Sequence, residues 1–220
     1  MSHPDRRTLL RAIAIGVLTA AGSPVVARAD RIVAPAARVP PPVGVLTRLP
    51  GDGNQLALTV DDGASTAVVA AFAAFCRDSG TRLTFFPNGA NPSWTMNAAL
   101  LRPMVDSGQI QLGNHTWSHP NVTHLALDAV ADQIRRNADF LRNTYGTDGA
   151  PYFRPPYGAH TPDTDRVAAD QGYSTITLWS GTVGDSRPVD EQQLVGFAQQ
   201  SFTPQQIILA HANLPPVTHT

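Results

Sequence analysis

From Asn54 onward the chain alternates between two kinds of hydrophobic pattern. Short apolar runs predict buried strands at residues 55–60, 82–87, 110–112, 152–153, 174–179 and 207–210. Apolar residues at helical spacing predict helices between them, over residues 65–80, 98–106, 128–146, 161–172 and 190–201. Strand and helix alternate without an internal sequence repeat. This order predicts an α/β fold, with a parallel sheet that is covered by helices and either open or closed into a barrel.

The first thirty residues have a different pattern, which we interpret as an export signal. Arg6 and Arg7 precede an apolar stretch over residues 12–21, and Ala27-Arg28-Ala29 supplies the small residues after which signal peptidase cuts. The paired arginines resemble the twin-arginine signal of bacteria. The alternative is a membrane anchor, but a spanning helix needs about 20 apolar residues and this stretch is shorter.

The chain therefore divides into an export signal over 1–29, a Pro/Ala-rich spacer over 30–53 and one domain over 54–220. We expect an exported protein that is extracellular, periplasmic or associated with the cell wall of a bacterium, without stable membrane insertion. A domain of this size can bury a full core as a monomer.

The composition limits which binding partners and which classes of fold are expected. The net charge of -1 gives no reason to expect nucleic acid as a partner. The one cysteine, Cys76, excludes an intrachain disulfide and lies on the apolar face of a predicted helix, which favours a buried structural thiol. No glycine-rich phosphate-binding motif is present, so a nucleotide-binding α/β fold is disfavoured.

Chemically distinctive side chains follow the predicted strands at the point where each strand ends. They are Asp61, Asp62, His115, His119, Arg154, Tyr157, Asp185 and His211. Because the carboxyl ends of parallel strands share one face of the fold, we expect these residues to form one site.

Two histidines four residues apart, His115 and His119, can face one metal ion if the segment between them turns helically. A carboxylate from Asp61 or Asp62 would complete a set of two histidines and one carboxylate, and three protein ligands with open positions are typical of catalytic zinc. Each feature also has a simpler interpretation. A lone His-x-x-x-His is often a surface or capping pair, and Asp62-Gly63 is also a turn sequence.

The remaining residues can carry acid–base chemistry around such a metal. The aspartate that does not bind the metal could accept a proton from water, held ionised by Arg154. His211 could act as a general acid, with Asp185 keeping it protonated. The alternative for His211 is a structural core histidine, since it follows the apolar residues 207–209.

Three segments in order resemble the first three motifs of the polysaccharide deacetylases, the NodB-like domain of carbohydrate esterase family 4. They are Thr59-Val60-Asp61-Asp62-Gly63, His115-Thr116-Trp117-Ser118-His119 and Arg154-Pro155-Pro156-Tyr157-Gly158. The segment Ile208-Leu209-Ala210-His211 resembles the last motif, and the resemblance covers residues 55–213. It implies a distorted parallel (β/α) barrel with a divalent metal, usually zinc, although cobalt or nickel could occupy the same ligands.

The resemblance also implies individual roles. Asp62, His115 and His119 are the implied metal ligands, Asp61 the implied base and Arg154 the residue that positions it. The Tyr157 backbone N–H is implied in oxyanion stabilisation, Leu209 in an acetyl-methyl pocket and His211 as the acid. Ser118 is expected to hold the loop between the two histidines.

Two departures from the family pattern change the expectations. The fourth motif keeps Asp185 but has Ser186 where the family often has tryptophan, so sugar stacking could move to Trp117 or Trp179. The chain also stops soon after the last motif, which predicts a barrel that is incomplete at the C-terminus.

The sequence thus predicts a hydrolase that removes acetyl groups from N-acetylated sugars of a polysaccharide, in peptidoglycan or chitin-like oligomers. Two alternatives remain: an O-acetyl esterase on acetylated polysaccharide such as xylan, and a catalytically weak member that binds glycans.

Overall fold

The computed structural model describes residues 40–215; the predicted export signal lies outside this range. Eight strands occur within the described residues. They are β1 (Gly44–Leu46), β2 (Ala57–Asp62), β3 (Leu83–Pro87), β4 (Ile110–Leu112), β5 (Tyr152–Phe153), β6 (Thr175–Thr177), β7 (Gly181–Thr182) and β8 (Ile207–His211). The helices are α1 (Thr66–Ser79), α2 (Pro92–Met96), α3 (Ala98–Asp106), α4 (Leu127–Tyr145), α5 (Pro162–Asp170) and α6 (Glu191–Ser201).

The strands form two parallel sheets that together resemble an interrupted barrel. One sheet has the order β4-β3-β2-β8-β7 and the other the order β1-β6-β5. A single bridge between Asn114 and Phe153 links the β4 side to the β5 side, and only residues 178–180 separate β6 from β7. The predicted α/β fold with parallel strands is confirmed, while the hydrogen-bonded ladder of the described residues is not continuous around the barrel.

Local sequence explains where the helices begin and end. Ser65 accepts a hydrogen bond from the Val68 backbone N–H at the start of α1, and the helix closes at Gly80 in the left-handed region (φ 71°). α5 and α6 each begin with a capping box, Thr161 with Thr164 and Asp190 with Gln193. α4 was predicted to begin at Asp128, but it starts one residue earlier, at Leu127, and Asp128 lies in its first turn instead of capping it.

The core consists of two clusters that α4 connects. Leu141 and Tyr145 at the end of α4 pack with Phe85 and Trp94 against the five-stranded sheet. Val130, Ile134 and Ala138, earlier on the same helix, pack with residues of β5, β6 and α5. Cys76 is fully buried in the first cluster, as expected, and burial raises the pKa of its thiol to about 12.

The structure differs from the prediction in the segment that was expected to be spacer. Gly44–Leu46 pairs in parallel with Thr175–Thr177, and Arg48 forms an antiparallel bridge with Gln206. Alternating periodicity is absent from this proline-rich stretch, and so the strand was missed. The chain thus joins the fold about ten residues before Asn54.

A cavity of about 220 Å³ is lined by residues of both sheets, from Ala57 and Ile207 at the start of β2 and β8 to Thr59, Phe86 and Thr177 further along their strands. The segment 40–50 covers it with prolines and leucines. Among the described residues, no helix is long and apolar enough to cross a membrane.

Candidate active site

The residues expected at the strand ends do gather at one edge of the fold. Asp61 and Asp62 end β2, and His115 and His119 follow β4. Arg154 follows β5, and His211 ends β8. In the register of the sheet, Asp61 is the direct partner of His211 on the neighbouring strand.

Three of these side chains converge as a metal site would require. Asp62 Oδ1 lies 3.2 Å from His115 Nε2 and 3.3 Å from His119 Nε2. All three ligand atoms lie within 4.8 Å of one another. Asp62 Oδ1 is buried without a hydrogen-bond partner. Two imidazole nitrogens and an orphaned carboxylate oxygen are a donor set that suits zinc, cobalt or nickel, so these residues fit a divalent metal.

Hydrogen bonds on the far side of the ligands hold them in this arrangement. The Nδ1 atom of His115 lies 2.6 Å from the Arg154 carbonyl oxygen. A carbonyl can only accept, so Nδ1 carries a proton and the Nε2 edge of the ring faces Asp62. Burial raises the pKa of the Asp62 carboxyl, but His115, His119 and Asn213 outweigh it and hold that pKa well below its usual range. The ligand oxygen is therefore ionised at neutral pH.

The backbone around the ligands adopts conformations that non-glycine residues rarely occupy. Asp62, Thr116, His119 and Tyr157 all have φ between 61° and 69°. The Asp62 carbonyl oxygen accepts hydrogen bonds from Asn91 Nδ2 at 2.9 Å and Trp94 Nε1 at 2.8 Å. Such contacts offset the strain, which costs about 1–3 kcal/mol per residue.

Asp61 forms an ion pair with Arg154 inside the fold. Arg154 Nη1 donates to Asp61 Oδ1 at 2.7 Å, and the guanidinium is fully buried. The same group donates to Thr59 Oγ1 and to the carbonyl oxygens of Thr177 and Leu178. A charged group held by four acceptors is fixed in orientation, and so is the carboxylate it binds. The other oxygen, Asp61 Oδ2, lies 3.7 Å from His115 Nε2, beside the cluster of metal ligands.

His211 and Asp185 form the second charged pair of the site. The Nδ1 atom of His211 lies 2.8 Å from Asp185 Oδ1. Burial lowers the pKa of His211, but the hydrogen bond and charge of Asp185, aided by Asp61 and Asp62, raise it above the ordinary value. The charges around His211 thus favour an imidazolium with Nε2 directed away from Asp185.

The residues expected to contact substrate have different surroundings. Tyr157 is 68% exposed, and its ring packs edge-on against His119 with centroids 4.6 Å apart. Leu209 is buried, and Trp179 is half-buried with its ring 5.8 Å from the Arg154 guanidinium. Trp117 instead packs against α4, where its ring contacts Phe140 and the Arg136 guanidinium.

Ser118 holds its loop as expected. Its backbone N–H donates to Gln133 Oε1 on α4 at 3.0 Å, and its hydroxyl contacts the same side chain.

Sequence reasoning missed several asparagines that support the site. Asn213 Nδ2 donates to Asp62 Oδ2 at 2.6 Å. Asn88 Nδ2 donates to the carbonyl oxygens of His115 and Thr116 at 2.5 and 3.1 Å. Asn137 and Asn114, both fully buried, join by a hydrogen bond behind the histidine loop. Asparagine is also the ordinary residue of turns, so only three-dimensional proximity separates these four from loop residues.

Comparisons with known proteins agree with the site. The family model of the polysaccharide deacetylases matches residues 48–176, more than half of the chain. A peptidoglycan-N-acetylglucosamine deacetylase of Bacillus cereus is 28% identical over 164 residues, which are 74% of this chain and 58% of that relative. A chitooligosaccharide deacetylase of Azorhizobium caulinodans is 28% identical over 179 residues, covering 79% of this chain and 81% of the relative.

Among solved structures, a family 4 carbohydrate esterase from Streptomyces lividans in complex with acetate superimposes with a TM-score of 0.62 at 28% identity. The match covers 72% of this chain and 79% of that one. The chain spans about three fifths of the length of the Bacillus cereus relative. The family model spans the three sequence motifs whose residues the structure brings together in one site. The chain therefore belongs to the polysaccharide deacetylase family, carbohydrate esterase family 4.

Proposed function

We propose that the chain is a metal-dependent hydrolase that removes acetyl groups from the N-acetylated sugars of a polysaccharide. The observation that carries the proposal is the cluster of Asp62, His115 and His119. Beside it lies the buried ion pair of Asp61, the proposed base, with Arg154. The named activities of the Bacillus cereus and Azorhizobium relatives support peptidoglycan and chitin-like oligomers as substrates.

Asp62, His115 and His119 would hold the metal, for which we propose zinc. A divalent metal in this position supplies Lewis-acid chemistry, polarising the acetyl carbonyl and lowering the pKa of water. Three protein ligands are typical of sites where substrate and water complete the coordination.

Asp61 is the proposed general base. Arg154 holds one of its oxygens at 2.7 Å and leaves Oδ2 facing the histidine ligands. From there the carboxylate takes a proton from the water that attacks the acetyl carbon. Because hydrogen bonds to Thr59, Thr177 and Leu178 fix the Arg154 guanidinium, the Asp61 carboxylate that it binds is fixed as well.

His211 is the proposed general acid. Asp185 fixes the Nδ1 edge of the ring, so Nε2–H remains to protonate the departing sugar nitrogen. The reaction is balanced: the amide C–N bond breaks, water supplies the new C–O bond, and the products are acetate and a free amine. The raised pKa of His211 keeps that proton available near neutral pH.

Three residues are proposed to bind the substrate. The backbone N–H of Tyr157, in a left-handed turn beside His119, is proposed to stabilise the developing oxyanion. Leu209 would contact the acetyl methyl group, and Trp179 would face the sugar. We propose that the enzyme acts outside the cytoplasm, where peptidoglycan and chitin-like polymers occur.

A second candidate function is hydrolysis of O-acetyl esters. The Streptomyces lividans structure, named a carbohydrate esterase and solved with acetate, supports this candidate. Amide and ester hydrolysis share the same attack and the same base, so the residues alone favour neither.

Acetate release tests the proposal. Purified protein is incubated with an N-acetylglucosamine oligomer and with an acetylated xylan, after stripping by chelator and after return of zinc. Zinc-dependent acetate from the first substrate supports N-deacetylation, and acetate from the second alone supports the esterase. No acetate from folded, zinc-loaded protein on either substrate would contradict both and favour a glycan-binding role.

A further inference from the structure

Asn213 links the carboxylate of Asp62 to the strand that carries His211. It lies two residues beyond His211, on the segment that leaves β8. Both ends of its amide are used: Nδ2 donates to Asp62 Oδ2 at 2.6 Å, and Oδ1 accepts from the Ala64 backbone N–H at 3.0 Å. A backbone N–H can only donate, so Oδ1 must face Ala64 and the NH₂ group must face Asp62.

The two oxygens of Asp62 consequently have different tasks. Oδ2 is occupied by the Asn213 amide, while Oδ1 has no hydrogen bond and faces the Nε2 atoms of His115 and His119. A hydrogen bond to the second oxygen orients the carboxylate so that its first oxygen faces the position of the metal.

Backbone bonds hold Asn213 in place. The Ala212 N–H donates to the Asp61 carbonyl oxygen at 3.0 Å, and the Ser65 N–H donates to the Ala212 carbonyl oxygen at 3.1 Å. The segment after β8 is therefore fastened to the loop after β2 on both sides of Asp62. The acid His211 and the ligand Asp62 belong to one rigid unit.

We propose that Asn213 is a positioning residue that makes Asp62 a one-oxygen ligand of the metal. The inference rests on the proposed function, since it requires that Asp62, His115 and His119 hold a divalent metal. Without the amide, Asp62 could rotate or offer both oxygens, and the site would bind metal less tightly and with a different geometry.

Zinc titration of the metal-free protein tests the inference without reference to catalysis. We expect Asn213→Ala to weaken zinc binding by about 10–100-fold, as loss of a group that orients a metal ligand generally does. Asn213→Leu, which keeps the branched shape of the side chain but has no donor, should weaken zinc binding to a similar degree. Asn213→Leu also keeps the inference testable if Asn213→Ala does not fold. Asn143→Ala, an exposed asparagine on α4, is the matched control and should bind zinc like the unaltered protein.

Cobalt gives a second readout that a merely structural role would not change. A second oxygen from Asp62 would raise the coordination number, so the visible cobalt bands should weaken and shift in both Asn213 variants. Zinc affinity and cobalt spectra equal to those of the unaltered protein would overturn the role of Asn213 alone. An unaltered protein that binds neither metal would overturn the proposed site and this inference together.

Discussion

Asp185 binds the backbone and the side chain of His211 with the two oxygens of one carboxylate. Oδ2 accepts from the His211 backbone N–H at 2.7 Å, and Oδ1 lies 2.8 Å from the ring Nδ1. The ring is therefore oriented relative to its own strand, and its proton is stabilised by the same group that orients it.

The first prediction concerns the alkaline limit of activity. His211 must be protonated to act as an acid, so activity should fall as pH rises through its raised pKa. Asp185→Asn removes the charge that raises this pKa. The alkaline limb of kcat/KM should therefore move to lower pH, by about one unit or more.

The measurement is a pH–rate profile of both proteins at saturating zinc. An unchanged alkaline limb in Asp185→Asn, with normal zinc content, would show that another group sets this limit.

The second prediction separates the base from the metal ligands. Asp61→Asn keeps a hydrogen-bond acceptor for Arg154 but cannot take up a proton, so kcat should fall by about 10²–10⁴-fold. Zinc content should stay the same, because the ligand oxygen belongs to Asp62. His115→Ala is the contrasting variant, which should lose zinc and activity together. Both are checked by metal analysis and acetate release, and substantial turnover by Asp61→Asn would remove it as the base.

The third prediction concerns the turn between Asp62 and α1. Gly63 has φ 87°, and a Cβ there would lie 2.4 Å from the Trp94 ring. Trp94 is fully buried and donates to the Asp62 carbonyl oxygen, so it has no room to move. Gly63→Ala should lower the free energy of unfolding by about 2–4 kcal/mol, from overpacking and backbone strain together.

Gly80→Ala is its matched control. Gly80 has a similar φ of 71° but nothing within 4 Å of the added Cβ. It should cost only the backbone term, about 1 kcal/mol. Denaturant unfolding measures both variants, and equal losses would show that contact with Trp94 contributes nothing.

Elements with their own local signals were predicted well. α3 and the strands at 110–112 and 152–153 have the predicted bounds, and α1 fills the predicted range 65–80, with Ser65 and Gly80 as its cap residues. Hydrophobic spacing and capping chemistry are properties of a few adjacent residues, which is why sequence alone located these elements.

The missed features depend on distant parts of the chain. β7 has two residues and exists because it pairs with β8, and β1 pairs with β6 across about 130 positions. Asn213 meets Asp62 across 151 positions. The position of the charged residues at the ends of predicted strands was enough to assign them to one site, because their side chains are chemically distinctive. It gave no reason to select one asparagine among many.

The last prediction concerns where the folded unit begins. The sequence placed the start near Asn54, whereas segment 40–50 pairs with β6, covers the cavity and receives a hydrogen bond from Thr175 Oγ1 to the Pro42 carbonyl oxygen at 2.7 Å. Gln205 Nε2 also donates to the Pro50 carbonyl oxygen at 2.8 Å. A chain shortened to begin at Pro40 should keep these contacts, and one that begins at Asn54 should lose all of them.

Thermal unfolding of the two shortened chains decides the matter. We expect the chain from Pro40 to match the melting temperature of a chain that starts ten residues earlier. The chain from Asn54 should melt at least about 5 °C lower, since removal of a paired strand and of the cavity's apolar cover costs a few kcal/mol. Because none of Asp62, His115 and His119 lines the cavity, zinc affinity at low temperature should change little. Equal melting temperatures would mean that residues 40–53 are a spacer after all.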